Sequence, residues 1–281
     1  MDVIRFGSVA EYLDRAGPFL EAREAEHNLI FGIASQVQAD PTQYASSPYL
    51  AAVLDGDRIV GAALRTPPWR IVLSVFDDRA AADALAADLV GEPLPGAVGP
   101  TGSTAAFATA WQARTGTAVQ LTRHERAFRL RQVIPPVPAS GHMVRADQEH
   151  RALLAAWSQA FEEEADTGPP TPTDHDAAAD RWIRGIGRTA WLWIDDDRPV
   201  SLTGVGGLTP HGIRVGPVYT PPELRGRGYA SNLVAEASQL QLDGGRTFVF
   251  LFTDLANPTA NHIYQTIGYE PVIDIDEYAF G

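Results

Sequence analysis

Two rhythms of apolar and polar positions run along the chain, and the order of their alternation repeats. Residues Val9 to Ala34 carry Leu13, Phe19, Leu20, His27, Leu29 and Ile30 at helical spacing, which predicts helix. Two apolar runs then follow, Tyr49–Leu54 and Arg58–Leu64, joined by Asp55-Gly56-Asp57. An Asp-Gly pair between apolar runs predicts a β-hairpin. Further on, the pattern predicts a strand over Trp69–Phe76, a helix over Ala80–Val90 and a strand near Gly96–Gly99. A helix over Ser103–Arg114 and a strand over Ala118–Leu130 complete the first half.

The second half repeats that order. Trp191–Asp195 and Val200–Val205 flank a turn at Asp195–Arg198 and predict a second hairpin; Ile213–Thr220 predicts the next strand. Helix is expected from Arg227 to Leu242 and from Pro258 to Thr266, with strands over Thr247–Thr253 and Val272–Phe280. Between the halves lies Val133–Gly141, where Pro135, Pro136, Pro138 and Gly141 cannot sustain a helix or an inner strand. The reading is a duplicated α/β (α+β) unit: a first domain at 1–132, a linker at 133–141 and a second domain at 142–281.

Composition narrows the function classes. A chain of 281 residues that is 45% hydrophobic can build two cores. With no cysteine it has neither disulfides nor a thiolate nucleophile. The seven histidines are scattered without His-x-x-x-His spacing, so no metal is expected. No apolar run is long enough for a bilayer span and the first residues lack a secretion-signal pattern, so the expected location is cytoplasmic, with no membrane partner. A net charge of −13 disfavours a nucleic-acid backbone and is compatible with a cationic amine.

The stretch with most chemistry is Val215–Ala230, VGPVYTPPELRGRGYA. A strand ends at Pro221-Pro222, and Gly226 and Gly228 lead into a helix. Free amides at a helix start, with Arg225 and Arg227 beside them, suit a pyrophosphate. This is not a P-loop, because no Lys-Ser or Lys-Thr follows, and Ser231 stands where a dinucleotide fingerprint needs Gly or Ala.

Arg225-Gly-Arg-Gly228-Tyr-Ala230 resembles the Q/R-x-x-G-x-G/A signature of the GNAT (Gcn5-related) N-acetyltransferase superfamily. Downstream, Asn257-Pro-Thr-Ala-Asn261-His-Ile-Tyr264 and Gly268-Tyr269 resemble its next block. The resemblance covers about Thr189–Gly281. It implies two GNAT-like domains, each a mixed, mostly antiparallel sheet flanked by helices, and transfer of an acetyl group from acetyl-CoA to a primary amine. It also implies that Val218 and Tyr219 hold the pantetheine arm, that Arg225, Gly226, Arg227, Gly228, Tyr229, Ala230 and Ser231 hold the diphosphate, and that Asn257 lies near the cofactor. Tyr264 then faces the coenzyme sulfur as general acid. In the first half, Asp77-Asp78 replaces the glycine pair, so that half is expected to lack a cofactor site.

The general base stays open among Glu162, Glu163, Glu164, Asp254 and His211; a charge run such as 162–164 is also what a solvated helix face looks like. Trp157, Trp182, Trp191 and Trp193 are candidates for core packing or for an aromatic acceptor wall. The proline-rich stretch Asp166–Asp174 is either a lid or a plain connection. Two alternatives to acetyl transfer remain: an acyl-CoA sensor without turnover, and transfer of a longer acyl group.

Overall fold

A computed structural model describes residues 1–44, 46–165 and 173–281. Contacts divide the chain into two compact units. Unit 1 holds Met1–Ala127, Asp254–Ala256 and Val272–Gly281; unit 2 holds Phe128–Thr253 and Asn257–Pro271.

Unit 1 begins with β1 (Asp2–Arg5), α1 (Val9–Glu21) and α2 (Asn28–Ala39). The single helix expected over Val9–Ala34 is therefore two. The break is built by His27, which is 1% exposed. Its Nδ1 donates to Leu20 O at 2.9 Å, closing the end of α1, and its Nε2 accepts from the Val75 N–H at 3.0 Å. Next come β2 (Tyr49–Asp55), β3 (Arg58–Arg65) and β4 (Ile71–Leu73). Gly56 takes φ +60°, as the tight turn between β2 and β3 requires. β4 is shorter than the expected Trp69–Phe76 strand. α3 (Ala80–Asp88), β5 (Gly96–Pro100), α4 (Thr101–Thr115) and β6 (Val119–Leu130) follow.

Unit 2 repeats this layout with β7 (His142–Arg145), α5 (Arg151–Ala165), α6 (His175–Arg184), β8 (Arg188–Asp195), β9 (Arg198–Gly206) and β10 (Gly212–Tyr219). It continues with α7 (Tyr229–Asp243), β11 (Phe248–Asp254) and α8 (Pro258–Thr266), and the chain ends in β12 (Glu270–Phe280). The pairing pattern is the same in both units. β1, β2, β3 and β4 pair antiparallel in turn and β4 pairs parallel with β5; β7 to β11 do likewise.

The last strand departs from the expected division. β12 pairs antiparallel with β5, from Ile275 opposite Pro100 to Ala279 opposite Gly96. Phe280 stacks on Phe107 and Trp111 at 6.3 and 5.9 Å, at the edge of the core formed by α3, α4 and the sheet of unit 1. The ion pair Arg126–Asp274 and the hydrogen bond between His124 Nδ1 and Asp276 Oδ1 fasten β12 to β6. Residues 272–281 thus lie with unit 1, not with the 142–281 domain expected from residue order. The segment 133–141 has no regular structure and packs on unit 2. Ile134 N–H donates to Ile267 O, and Ser140 O accepts from Trp193 Nε1.

The two faces of the unit 2 sheet are packed differently. Ala190, Leu192 and Leu202 share a cluster with Leu154 of α5 and Ala179 of α6. Trp193 and Val200 share another with Tyr229 and Leu233 of α7. This alternation follows from the two-residue repeat of a strand. Among the described residues no helix is long and apolar enough to cross a membrane.

Candidate functional site

The site is built where β10 parts from β11. Their parallel register runs over Gly212–Arg214 against Phe248–Phe250 and ends there, while β10 stays paired with β9 as far as Tyr219. A bulge falls between Val215 and Val218. Past Arg214, the edge of β10 that faces β11 therefore has no ladder partner. It presents backbone donors and acceptors along Val215–Tyr219, which an extended amide chain can pair with as a strand does. Gly216, at φ +137°, has nothing within 4 Å of where a Cβ would stand, so the bulge is open.

Pro221 and Pro222 then stop the strand and a single 3-10 turn, Pro222–Leu224, redirects the chain. The residues Arg225, Gly226, Arg227 and Gly228 are exposed. Gly226 and Gly228 take φ +76° and +81°, a left-handed conformation that a side chain would strain. No side chain caps α7: Gly228 stands at the N-cap, and the first internal bond is Asn232 N–H to Gly228 O at 3.0 Å. The amides of Tyr229, Ala230 and Ser231 thus lie at a helix start with the positive end of its dipole. Asn232 Nδ2 bonds Gly228 O and Val137 O, fixing the loop from behind. Tyr229 is buried, and its hydroxyl donates to Asp195, holding that carboxyl below the usual range. Its role is to anchor the helix start. A pyrophosphate fits the loop on three counts: two glycines without side chains, uncapped amides, and two arginines.

The arginines are engaged lightly. Arg225 donates through Nε to Thr220 O at 2.9 Å and pairs with Glu164 of α5 at 2.6 Å; both side chains are about half exposed. Arg227 reaches Glu223 O at 3.3 Å.

Tyr264 of α8 is 9% exposed and joins the apolar cluster that contains Val215 and, at its margin, Val218. Burial pushes its phenol up to about 12. Asn257 caps α8, its Oδ1 accepting from Ala260 N–H at 3.0 Å. Glu162 accepts from Thr173 Oγ1 at 2.7 Å, with His175 at 4.0 Å. Glu163 is exposed and bonded to Gln159 one turn back. Asp254 accepts from Ala256 N–H, and His211 lies edge-on to Phe248. Of the acidic run, the structure brings Glu164 to the glycine-rich loop. Among the described residues no group of three His, Cys, Asp or Glu could hold a metal.

Trp191 and Trp193 belong to the α7 side of the sheet, packed with Tyr229 and Leu233. They are not an acceptor wall. Trp157 and Trp182 are on the opposite side: Trp157 lies 5.9 Å from the ring of Tyr219, and Trp182 packs with the α5–α6 cluster. The possible lid falls on residues 166–172, outside the described residues. In unit 1 the corresponding helix start is occupied by the protein's own carboxylates. Asp78 accepts from the Ala80 N–H, and Asp77 pairs with Arg23 and Arg58.

The model of the Acetyltransferase (GNAT) family matches residues 152–269. None of the curated proteins matches significantly. Among solved structures, a Drosophila protein is 14% identical at TM-score 0.70, covering 99% of this chain and 98% of its own. A GCN5-related N-acetyltransferase from Sphaerobacter thermophilus is 16% identical at TM-score 0.61, with 99% and 95% covered. A tandem GNAT protein from the clavulanic acid biosynthesis pathway is 15% identical at TM-score 0.59, with 100% and 98% covered. The fold these share runs through the whole chain, and the match to the acetyltransferase (GNAT) family model lies in its second half.

Proposed function

We propose that unit 2 transfers an acetyl group from acetyl-CoA to a primary amine by direct attack. The observation that carries this reading is the coincidence of an uncapped, arginine-flanked helix start at Gly226–Ser231 with an unpaired strand edge at Val215–Tyr219. One feature suits a diphosphate and the other an extended amide-bearing arm; together they fit the two parts of coenzyme A.

Bound there, the coenzyme supplies an acetyl thioester: attack by the amine forms a C–N bond, breaks the C–S bond and leaves an amide and a free thiol. Arg225, Arg227 and the amides of Gly228–Ser231 hold the diphosphate. Backbone groups of Val218 and Tyr219 hold and align the arm. Tyr264, with a phenol that stays protonated at neutral pH, gives a proton to the departing sulfur. Glu162, beside His175, takes the amine proton, directly or through water; Glu163 is the weaker candidate because it faces solvent. An acetyl-cysteine intermediate is excluded, since the chain has no cysteine.

Arg225→Glu combined with Gly228→Asp places two carboxylates against the diphosphate. The KM for acetyl-CoA should rise by about tenfold or more, while the chain stays folded at a melting temperature lowered by the strain of a side chain at position 228. Unchanged kinetics would remove the loop from cofactor binding. Binding of acetyl-CoA without thiol release across a broad amine panel would make unit 2 a sensor.

A further inference from the structure

Among the described residues, no carboxylate pairs with Arg188 on the α5–α6 side of the sheet. It stands opposite Gly206 on β9, and Gly206 in turn stands opposite Arg214 on β10. Paired residues of adjacent strands share a face, so the two arginines flank one glycine on the face that α5 and α6 cover. The side chain of Arg188 runs along the floor made by Gly206 and Gly204. A Cβ on Gly204 would lie 2.6 Å from Arg188 Cδ and 2.9 Å from Gly216 O, so the stem of Arg188 and the open bulge of β10 converge on one point. Any larger residue at 204 would displace the arginine. Its guanidinium carbon lies 5.5 Å from the Trp182 ring centre, and Arg214 stacks similarly on Phe252 at 5.6 Å.

A buried N–H normally finds an acceptor. Arg188 Nε is buried and, among the described residues, has no hydrogen-bond partner. Burial lowers its basicity, and the neighbouring charge that acts on it is the cation of Arg214. A structural arginine would have a carboxylate or a carbonyl here. Among the described residues Arg188 itself has no anionic partner, and a planar, forked donor on an aromatic face is matched by a carboxylate.

We infer that the acceptor amine carries a carboxylate, held by Arg188 over Gly204 and Gly206 so that its amino group reaches the open bulge at Gly216. The acceptor is then an amino acid or a close relative, a zwitterion rather than a simple cation. The net charge of −13 does not oppose this, because exposed charges act over only about 8–10 Å at physiological salt and the group facing the ligand is the cation of Arg188. This rests on the acetyl-transfer reading for its amine, but its carboxylate part can be read separately.

The test compares matched acids and amides on the wild-type chain: glycine with glycinamide, 4-aminobutyrate with 4-aminobutyramide, phenylalanine with phenylalaninamide. Thiol release from acetyl-CoA gives kcat/KM, and the thermal shift of the protein with saturating acetyl-CoA gives binding without turnover. At least one acid should exceed its amide by about tenfold or more in kcat/KM or in affinity. Arg188→Gln should abolish that advantage and leave the KM for acetyl-CoA unchanged; Arg188→Lys, which keeps the charge and loses the fork, should keep part of it. Equal behaviour of every acid and its amide in both readouts overturns the inference, as does an acid preference that survives Arg188→Gln. If Arg188→Gln does not fold, the wild-type comparison and Arg188→Lys still decide. An acid preference in binding with no thiol release from any amine overturns acetyl transfer and leaves the carboxylate site standing.

Discussion

Tyr264 is a core side chain to which we assign a proposed chemical role. Its ring packs in the apolar cluster, 6.1 Å from Tyr269, and the same burial raises its phenol to about 12. The protonated form, the one that can donate to a thiolate, is thus the form present at neutral pH. Tyr264→Phe should lower kcat about 10- to 100-fold with little change in the KM for acetyl-CoA. An undiminished kcat in steady-state assays would confine the residue to packing. His27 illustrates a buried group whose charge matters to stability. Both ring nitrogens are bonded, one donating to Leu20 O and the other accepting from Val75 N–H, so the neutral ring is the one that fits. Burial lowers its pKa despite the bond to Leu20. In the unfolded chain the ring titrates near about 6.5, so below that pH the unfolded state binds the extra proton. The stabilisation is complete above about pH 6.5 and is lost as pH falls toward the lowered folded value. Across that window wild type should lose up to about 1.4 kcal/mol per pH unit more than His27→Gln, read from urea melts. Parallel pH curves for the two proteins would show that His27 is not the linked group.

At the scale of elements, the glycine-rich loop and α5 are in direct competition for one arginine. Glu164 pairs with Arg225, which the proposed diphosphate must also engage. An exposed pair of this kind contributes only about 0–1 kcal/mol, so a dianion can displace it. Glu164→Gln should therefore lower the KM for acetyl-CoA by up to about fivefold at low salt, with the gain shrinking as ionic strength rises. A raised KM would mean that Glu164 instead holds Arg225 in its binding position. The corresponding helix start in unit 1 shows the opposite choice: Asp78 fills the Ala80 amide, and the dipole is satisfied internally. The contrast between Gly226–Gly228 and Asp77–Asp78 was legible in residue types alone, because glycine and aspartate are chemically opposite partners for a phosphate. The Arg225–Glu164 pair was not, since it joins residues 61 positions apart.

At the scale of the molecule, one topology occurs in both units, and the last strand of the chain lies with the first of them. β12 completes the sheet of unit 1, and Phe280 stacks with Phe107 and Trp111 there. Phe280→Ala should destabilise unit 1 by about 2–4 kcal/mol, with Trp111 emission following the early transition. If Trp111 unfolds at the wild-type midpoint, the last strand does not support that core. The repeat of element order along the chain predicted duplicate folds, and the structure has them. Order alone could not assign the last strand, because strand partners are chosen by long-range pairing and packing, which leave no local signal.

Local chemistry determined what it controls directly. The Asp-Gly turn, the prolines after Tyr219, the glycine pair before α7 and the Asn257–Pro258 helix start were readable because each constrains its own backbone. Fold class followed from the order of such elements. Tertiary structure decided everything that depends on which faces meet: that Trp191 and Trp193 lie under α7, that β12 joins unit 1, and that Arg188 lies across Gly204 toward Gly216. Those outcomes turn on strand register, where a shift of one residue moves every side chain to the opposite face.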